Sequence, residues 1–266
     1  MTCVVRNTAA VCGLAIILGI LAILPLTSGC SESSGLNMNV RKPANERPDL
    51  DAAMVAAGVR RIPADEGFNL TSFTSGQAGD SRGRAESAGN DGAIAAAEAR
   101  DGGTAWGEFQ LGYCFDNALG TPLQATIRLR MKVATATSAL SKEETNRGHA
   151  GSAEQARSIL AFFVKDTSGL VLRKETLQES DLEKGAESAT RTHDLVYDVR
   201  LEAGRGYYLV IGGRVDAHAE ADQTVSCVIS VNEAALEIHW KPLPDAAIAA
   251  PLPQGAGLTT TTAAAE

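Results

Sequence analysis

Aromatic residues are scarce: two Trp, four Tyr and six Phe make up 5% of the 266 residues, leaving little from which to build a stacking platform for bases or sugars. Basic residues are outnumbered, with 24 Lys and Arg against 32 Asp and Glu, a formal charge of −8. That balance excludes a broad electrostatic nucleic-acid binder, which needs a basic surface. No Cys-x-x-Cys, His-Glu-x-x-His or calcium-loop pattern occurs, so the usual metal-ligand spacings are missing. Gly212-Gly213 falls inside a strand pattern with no Gly-Lys-Ser/Thr after it, which excludes a phosphate-cradling loop there. Nothing in the sequence calls for a cofactor.

The N-terminus carries the strongest local signal. Residues 1–29 hold one charged side chain, Arg6, and an apolar run from Ala9 to Leu26. Eighteen helical residues reach about 27 Å, short of a hydrocarbon core of about 30 Å, and Gly13, Gly19 and Pro25 weaken the run further. A basic start, an apolar stretch and then small residues is the order of a secretory signal peptide. Leu26-Thr27-Ser28-Gly29-Cys30 resembles the lipobox of bacterial lipoproteins; Ser28, Gly29 and Cys30 match, and Thr27 stands where Leu is usual. The resemblance implies removal of residues 1–29 and lipidation of Cys30, a palmitate-type anchor in the membrane of the cell envelope. In Gram-negative members, Ser at the next position (here Ser31) implies outer-membrane sorting. An uncleaved anchor, or plain secretion with Cys30 an ordinary cysteine, is the alternative.

After cleavage and lipidation only Cys114 and Cys227 remain, an even pair in an oxidising compartment, and a disulfide is expected. Side-chain parity speaks against it: Cys227 shares a face with Val225, Ile229 and Val231, whereas Cys114 shares one with Glu108 and Gln110 rather than with Phe109, Leu111, Tyr113 and Phe115.

Residues 30–104 read as a lipidated N-terminus and low-complexity tether rich in Ser, Gly, Asn, Asp and Ala, spanning about 45–50 Å as a flexible coil. Two Ala-rich stretches, Asp51 to Val59 and Asp91 to Ala99, lack a wide apolar stripe and read as frayed or transient helices. Order is expected from residue 105. Leu123 to Val133 alternates apolar and polar without a break, the mark of a half-buried strand. Trp106–Phe115, Ile159–Lys165, Leu170–Glu175, His193–Glu202, Tyr207–Val215, Val225–Val231 and Leu236–Trp240 follow suit. Asn117–Thr121 and Asp166–Gly169 read as hairpin turns. About eight strands without helical crossovers make an all-β protein, a single antiparallel β-sandwich of immunoglobulin-like or jelly-roll type over 105–240. Residues 135–157 read as a polar loop and 241–266 as a disordered Pro/Ala/Thr tail.

Chemistry-bearing residues are few. Asp216, His218, Glu220 and Asp222 lie at spacing two; on an extended strand they would share a face suited to Zn or a similar ion, and a solvated loop is the plainer reading. Gly79-Asp80-Ser81-Arg82-Gly83 matches the letters of a nucleophile elbow, without the buried strand and following helix the motif needs. Tyr207 and Tyr208 point to opposite faces of one strand, so the outward one is a candidate ligand contact. The expectation is a non-catalytic envelope lipoprotein whose sandwich binds an unknown envelope protein or glycan. The alternative is a carbohydrate- or metal-binding accessory sandwich for envelope polysaccharide, with a hydrolase using Ser81 a more distant reading.

Overall fold

The computed structural model describes residues 36–38, 41–141, 156–181 and 186–243. The expected signal peptide, Cys30 and the tail beyond residue 243 lie outside these. Among the described residues, twelve strands form two facing sheets. Sheet A holds β1 (Asp49–Leu50), β3 (Leu70–Ala78), β6 (Thr104–Asn117), β8 (Ala156–Asp166), β9 (Val171–Asp181) and β11 (Gly206–His218), in the order β1-β6-β11-β8-β9 with β3 also on β6. Sheet B holds β2 (Val59–Ile62), β4 (Arg82–Ser87), β5 (Ala93–Arg100), β7 (Leu123–Ser141), β10 (Ala186–Leu201) and β12 (Gln223–Pro242), in the order β10-β7-β12-β5-β4 with β2 also on β12. Every pair is antiparallel except β1–β6. The expected all-β antiparallel sandwich is the fold.

The core lies between the sheets. Leu123, Ala125, Ile127, Leu129, Met131 and Val133 on β7 all point inward and are at most 1% exposed. Facing them, Phe115 packs edge-on against Trp240 at 5.5 Å and also meets Tyr207 at 5.9 Å. Such ring pairs add about 0.5–1.5 kcal/mol each beyond their burial. On β12 the inward set is Val225, Cys227, Ile229 and Val231, then Ala234, Leu236, Ile238 and Trp240. The parity changes at a bulge between Asn232 and Ala235, where Glu233 has φ 54°. One bulged strand therefore produces the two separate alternations seen in the sequence, because an extra residue flips every later side chain.

Several boundaries move. The segment expected to be a tether contributes β1 to β5, so the sandwich starts near residue 49 instead of 105. The Asp51 helix exists as α1 (Ala52–Ala57), with the Asp51 carboxylate accepting from the Met54 N–H at 2.8 Å and Gly58 closing it at φ 78°. The second Ala-rich stretch is strand β5. Its Ala93, Ala95, Ala97 and Ala99 are all buried against sheet A, so close packing between sheets overrides the helical preference of alanine. Of the expected 135–157 loop, residues up to Ser141 belong to β7 and those from Ala156 to β8, and the rest lies outside the described residues. Asn117–Thr121 is not a hairpin turn: it carries the chain from β6 in sheet A to β7 in sheet B, with Asn117 Nδ2 donating to the Thr121 and Glu202 carbonyls at 3.3 and 3.1 Å. Both strands alternate toward one shared core, which is why the pattern suited a hairpin equally well. The Asp166–Gly169 turn does join a hairpin, β8 to β9.

Candidate functional site

Sheet A is covered on both faces. Its outer face is crossed by an N-terminal strap, Leu36–Met38 and Arg41–Arg47. Under the strap, Leu70, Cys114, Phe163, Tyr208 and Val210 form a second, smaller apolar core, with Met38 packed against it. Pairing registers fix what stands beside what. Trp106 on β6 lies between Gly76 of β3 and Asp216 of β11, Glu108 between Thr74 and Arg214, and Gln110 between Ser72 and Gly212. Alternate residues of neighbouring strands share a face, so one end of this face is polar and the other apolar.

The polar end is a connected array. Arg214 binds Asp216 at 2.7 Å and reaches Glu108 at 3.4 Å, and its guanidinium lies 5.2 Å from the centre of the Trp106 ring. The hydrogen bonds that Arg214 donates to Asp216 are the main reason its pKa is raised. Gly76 leaves room for the indole: a Cβ there would sit 2.5 Å from Trp106 Nε1. Glu108 and Gln110 are 4% and 3% exposed, and Gln110 Oε1 is buried without a hydrogen-bond partner among the described residues. A cleft of about 310 Å³ opens beside them, walled by Ser72, Thr74, Asn37 and Arg41. The arrangement offers planar donors and acceptors next to the edge of a half-buried aromatic ring.

The sequence-derived candidates fare differently. Cys30 lies outside the described residues. Cys114 and Cys227 are free thiols, and the expected disulfide is corrected: Cys114 faces out of sheet A beneath the strap, and Cys227 faces into the core between the sheets. Parity had pointed to this, and no strand end or bulge reconciles the two. Cys114 Sγ contacts Asn69 Oδ1 at 3.3 Å and Cys227 Sγ the Arg157 carbonyl at 3.4 Å. Burial pushes the Cys227 thiol up to about 12 and raises that of Cys114 as well, so neither is a reactive thiolate.

Tyr207 and Tyr208 do point to opposite faces, but both are buried, at 1% and 2% exposure. The outward Tyr208 is no open ligand contact, because the strap covers it: its hydroxyl accepts from Lys42 N at 3.1 Å and donates to Lys42 O at 3.2 Å. The Asp216–Asp222 run does not form a metal cage. Strand β11 ends at His218, Asp222 turns the chain at φ 63°, and Asp216 is taken by Arg214. Among the described residues no group of three metal-capable side chains converges. Ser81 sits in the turn between β3 and β4 with no helix following, and its buried hydroxyl has no hydrogen-bond partner among the described residues. A serine nucleophile needs a base within hydrogen-bond reach, and the Ser81 hydroxyl bonds to none among the described residues. Trp106, Glu108, Gln110 and Arg214 were not singled out as a site, although the alternation of β6 already placed Glu108 and Gln110 on the face of Cys114.

No family model matches the chain, and neither does any curated protein. Among solved structures, the chain is similar to the family 11 carbohydrate-binding module from Clostridium thermocellum in complex with a β-1,3-1,4-mixed-linked tetrasaccharide, at 8% identity and TM-score 0.22 over 60% of this chain and 88% of that one. TmCBM61 in complex with β-1,4-galactotriose matches at 10% identity and TM-score 0.23 over 64% of this chain and 88% of that one. A structure of infectious bursal disease virus, Gx strain, matches at 10% identity and TM-score 0.19 over 68% and 43%. Likenesses this remote carry no functional weight.

Proposed function

We propose that this chain is a non-catalytic binding module of the bacterial cell envelope, anchored by lipid on Cys30, that takes a glycan at the polar end of the outer face of sheet A. The lipobox resemblance supports the anchor and the compartment. One observation supports the ligand class: Trp106, Glu108, Gln110, Arg214 and Asp216 stand in adjacent register on three neighbouring strands, with Gln110 Oε1 left unpartnered. Sugars present paired hydroxyls and apolar C–H faces. Fixed carboxylate, amide and guanidinium groups match the hydroxyls, and an aromatic ring matches the C–H faces. The side chains sit on strands of a rigid sheet, which keeps such a site ordered before the ligand arrives.

An array of β-glucan, β-galactan and peptidoglycan oligosaccharides tests the ligand class. At least one class should bind, and Trp106→Ala or Gln110→Ala should each weaken it about ten- to a hundredfold, as loss of about 1–3 kcal/mol implies, with the fold intact by circular dichroism. In a Trp240→Phe background the ligand should alter the emission of Trp106. A blank array removes the glycan reading. Intact mass of membrane-extracted protein tests the anchor: a chain starting at Cys30 with added acyl mass supports it, and an unprocessed chain starting at Met1 overturns it.

A further inference from the structure

The strap is held in an unusual way for a segment that completes a sheet face. Leu36–Met38 form no strand. Side chains of the sheet instead read their main chain. Asn37 N–H donates to Glu108 Oε1 at 3.0 Å, Gln110 Nε2 donates to the Asn37 carbonyl, and Lys165 Nζ donates to the Met38 carbonyl. Two side chains of the strap are packed: Leu36 reaches within 3.4 Å of where a Cβ on Gly212 would stand, and Met38 rests on the small outer core. The same Glu108 and Gln110 are the polar groups of the glycan site. Packing under the strap is incomplete, with the 310 Å³ cleft touching Asn37 on one side and a cleft of about 120 Å³ touching Met38 on the other.

Farther along, the strap is fastened differently. Arg47 Nε pairs with Asp116 at 2.7 Å, Arg47 also donates to the Lys42 carbonyl at 2.6 Å, and Lys42 Nζ binds the Asn69 carbonyl at 2.6 Å. Strand β1 then joins β6. One end is thus riveted by ion pairing and sheet pairing, while at the other the main chain of Asn37 and Met38 is held by side chains of the sheet and Leu36 and Met38 pack against it.

We propose that Leu36–Met38 is a cis competitor for the glycan site, a flap that lifts from sheet A while the Lys42 and Arg47 fastenings hold, and that must leave Glu108 and Gln110 before a ligand can use them. The competition rests on the glycan reading, whereas the lifting does not. With the flap closed in most molecules, the apparent affinity of the site is its intrinsic affinity scaled by the open fraction.

Hydrogen exchange on the full chain decides the lifting. The amides of Leu36, Asn37 and Met38 should exchange at least tenfold faster than those of β6 and β11, by a local opening that low urea does not accelerate. Exchange of this segment only together with β6 and β11 overturns the proposal, whatever glycans do. With the β-1,3-1,4-linked glucan tetrasaccharide as probe, Leu36→Asp/Met38→Asp should bind at least tenfold tighter than the unaltered chain. Equal affinity in a variant folded by circular dichroism overturns the competition. Fast local exchange with no binding of any glycan on the array would instead sink the glycan reading and leave the flap standing. Should the double variant not fold, Asn37→Pro, which removes the N–H given to Glu108 together with the Asn37 side chain, takes its place with the same expected gain.

Discussion

The two outer faces of the sandwich hold their charges in opposite ways. On sheet B, Arg128 pairs with Asp194 at 2.5 Å, Lys132 with Glu233 at 2.6 Å and His239 with Glu237 at 2.8 Å, and most of these side chains are 40% or more exposed. On sheet A, Glu108 and Lys165 are 4% and 5% exposed, and each is tied to the main chain of the strap. Exposed pairs are worth about 0–1 kcal/mol and are exchangeable. A buried polar group left without a partner costs about 1–3 kcal/mol, so the sheet A positions are fixed by geometry. Geometry thus specifies the polar groups on the outer face of sheet A, whereas those on sheet B are solvated and exchangeable.

The largest expected contrast comes from removing one apolar side chain from each outer face. Phe163, fully buried beneath the strap, should cost about 3–5 kcal/mol on change to alanine. Val196 on β10, 49% exposed, should cost under about 0.5 kcal/mol. Urea unfolding of both variants measures this, and equal losses would erase the difference between the faces. A still harsher variant is Gly213→Val, since a Cβ at that position falls inside 3 Å of the Phe109 ring; it should yield little folded protein.

That contrast also explains what was legible. Strands β7, β10 and β12 have one wet face, so their alternation is clean and their existence plain from the sequence. Strands β6, β8 and β11 are buried on both faces over much of their length: β11 is buried from Gly206 to Gly213. There, periodicity reports only which side a residue takes, and both sides are core. The parity of Cys114 and the opposite facing of Tyr207 and Tyr208 are therefore legible in the sequence, but their surroundings are not, because what covers Cys114 and Tyr208 comes from Leu36–Met38 and Arg41–Arg47. The strap itself has no periodic pattern. Strands β3 and β4 are rich in Ser, Gly and Arg, and they hold their place by pairing with β6 and β5, so composition made them look like linker. The candidate site was half legible: the facing of Glu108 and Gln110 followed from parity, but their meeting with Arg214 depends on the β6–β11 register, which no local pattern sets.

An intermediate effect separates the strap from the sheet B ion pairs. Tyr208→Phe removes a hydroxyl bonded to both main-chain groups of Lys42 and should cost about 1–2 kcal/mol, with faster exchange across 41–47. Arg128→Ala should cost under about 1 kcal/mol, and less still in high salt. If Arg128→Ala proves the worse of the two, the strap is an ornament and not a fastening. Reduction belongs in the same series. Both domain thiols are free, so adding a reductant should leave the melting temperature of the 36–243 region unchanged, where loss of a real disulfide would cost about 2–5 kcal/mol.

The smallest expected effect lies at the edge where β9 and β10 face each other, and it tests whether sheet B hides anything. His193 on β10 has Nε2 buried without a partner among the described residues. Burial lowers its pKa, with Arg191 on the same strand adding to this and Glu175 on β9 opposing it. Met131 is its pairing partner on β7. A histidine whose folded pKa is depressed binds its proton more readily when the chain is unfolded. Stability then falls as pH drops below the ordinary histidine value of about 6.5, and is unaffected by this group above about pH 7.5. Asp166 does not confuse the window. Burial opposes its ionisation, yet hydrogen bonds from Ser168, Leu170 and Arg205 hold its carboxyl below the usual carboxylate range, so its contribution is lost only below about pH 4. Melting temperatures between pH 5 and 7.5 should therefore slope upward with pH in the unaltered chain and flatten in His193→Gln. A slope that survives the substitution would mean that the proton is taken up elsewhere and that His193 is solvated even though it stands beside the inward-facing Met131.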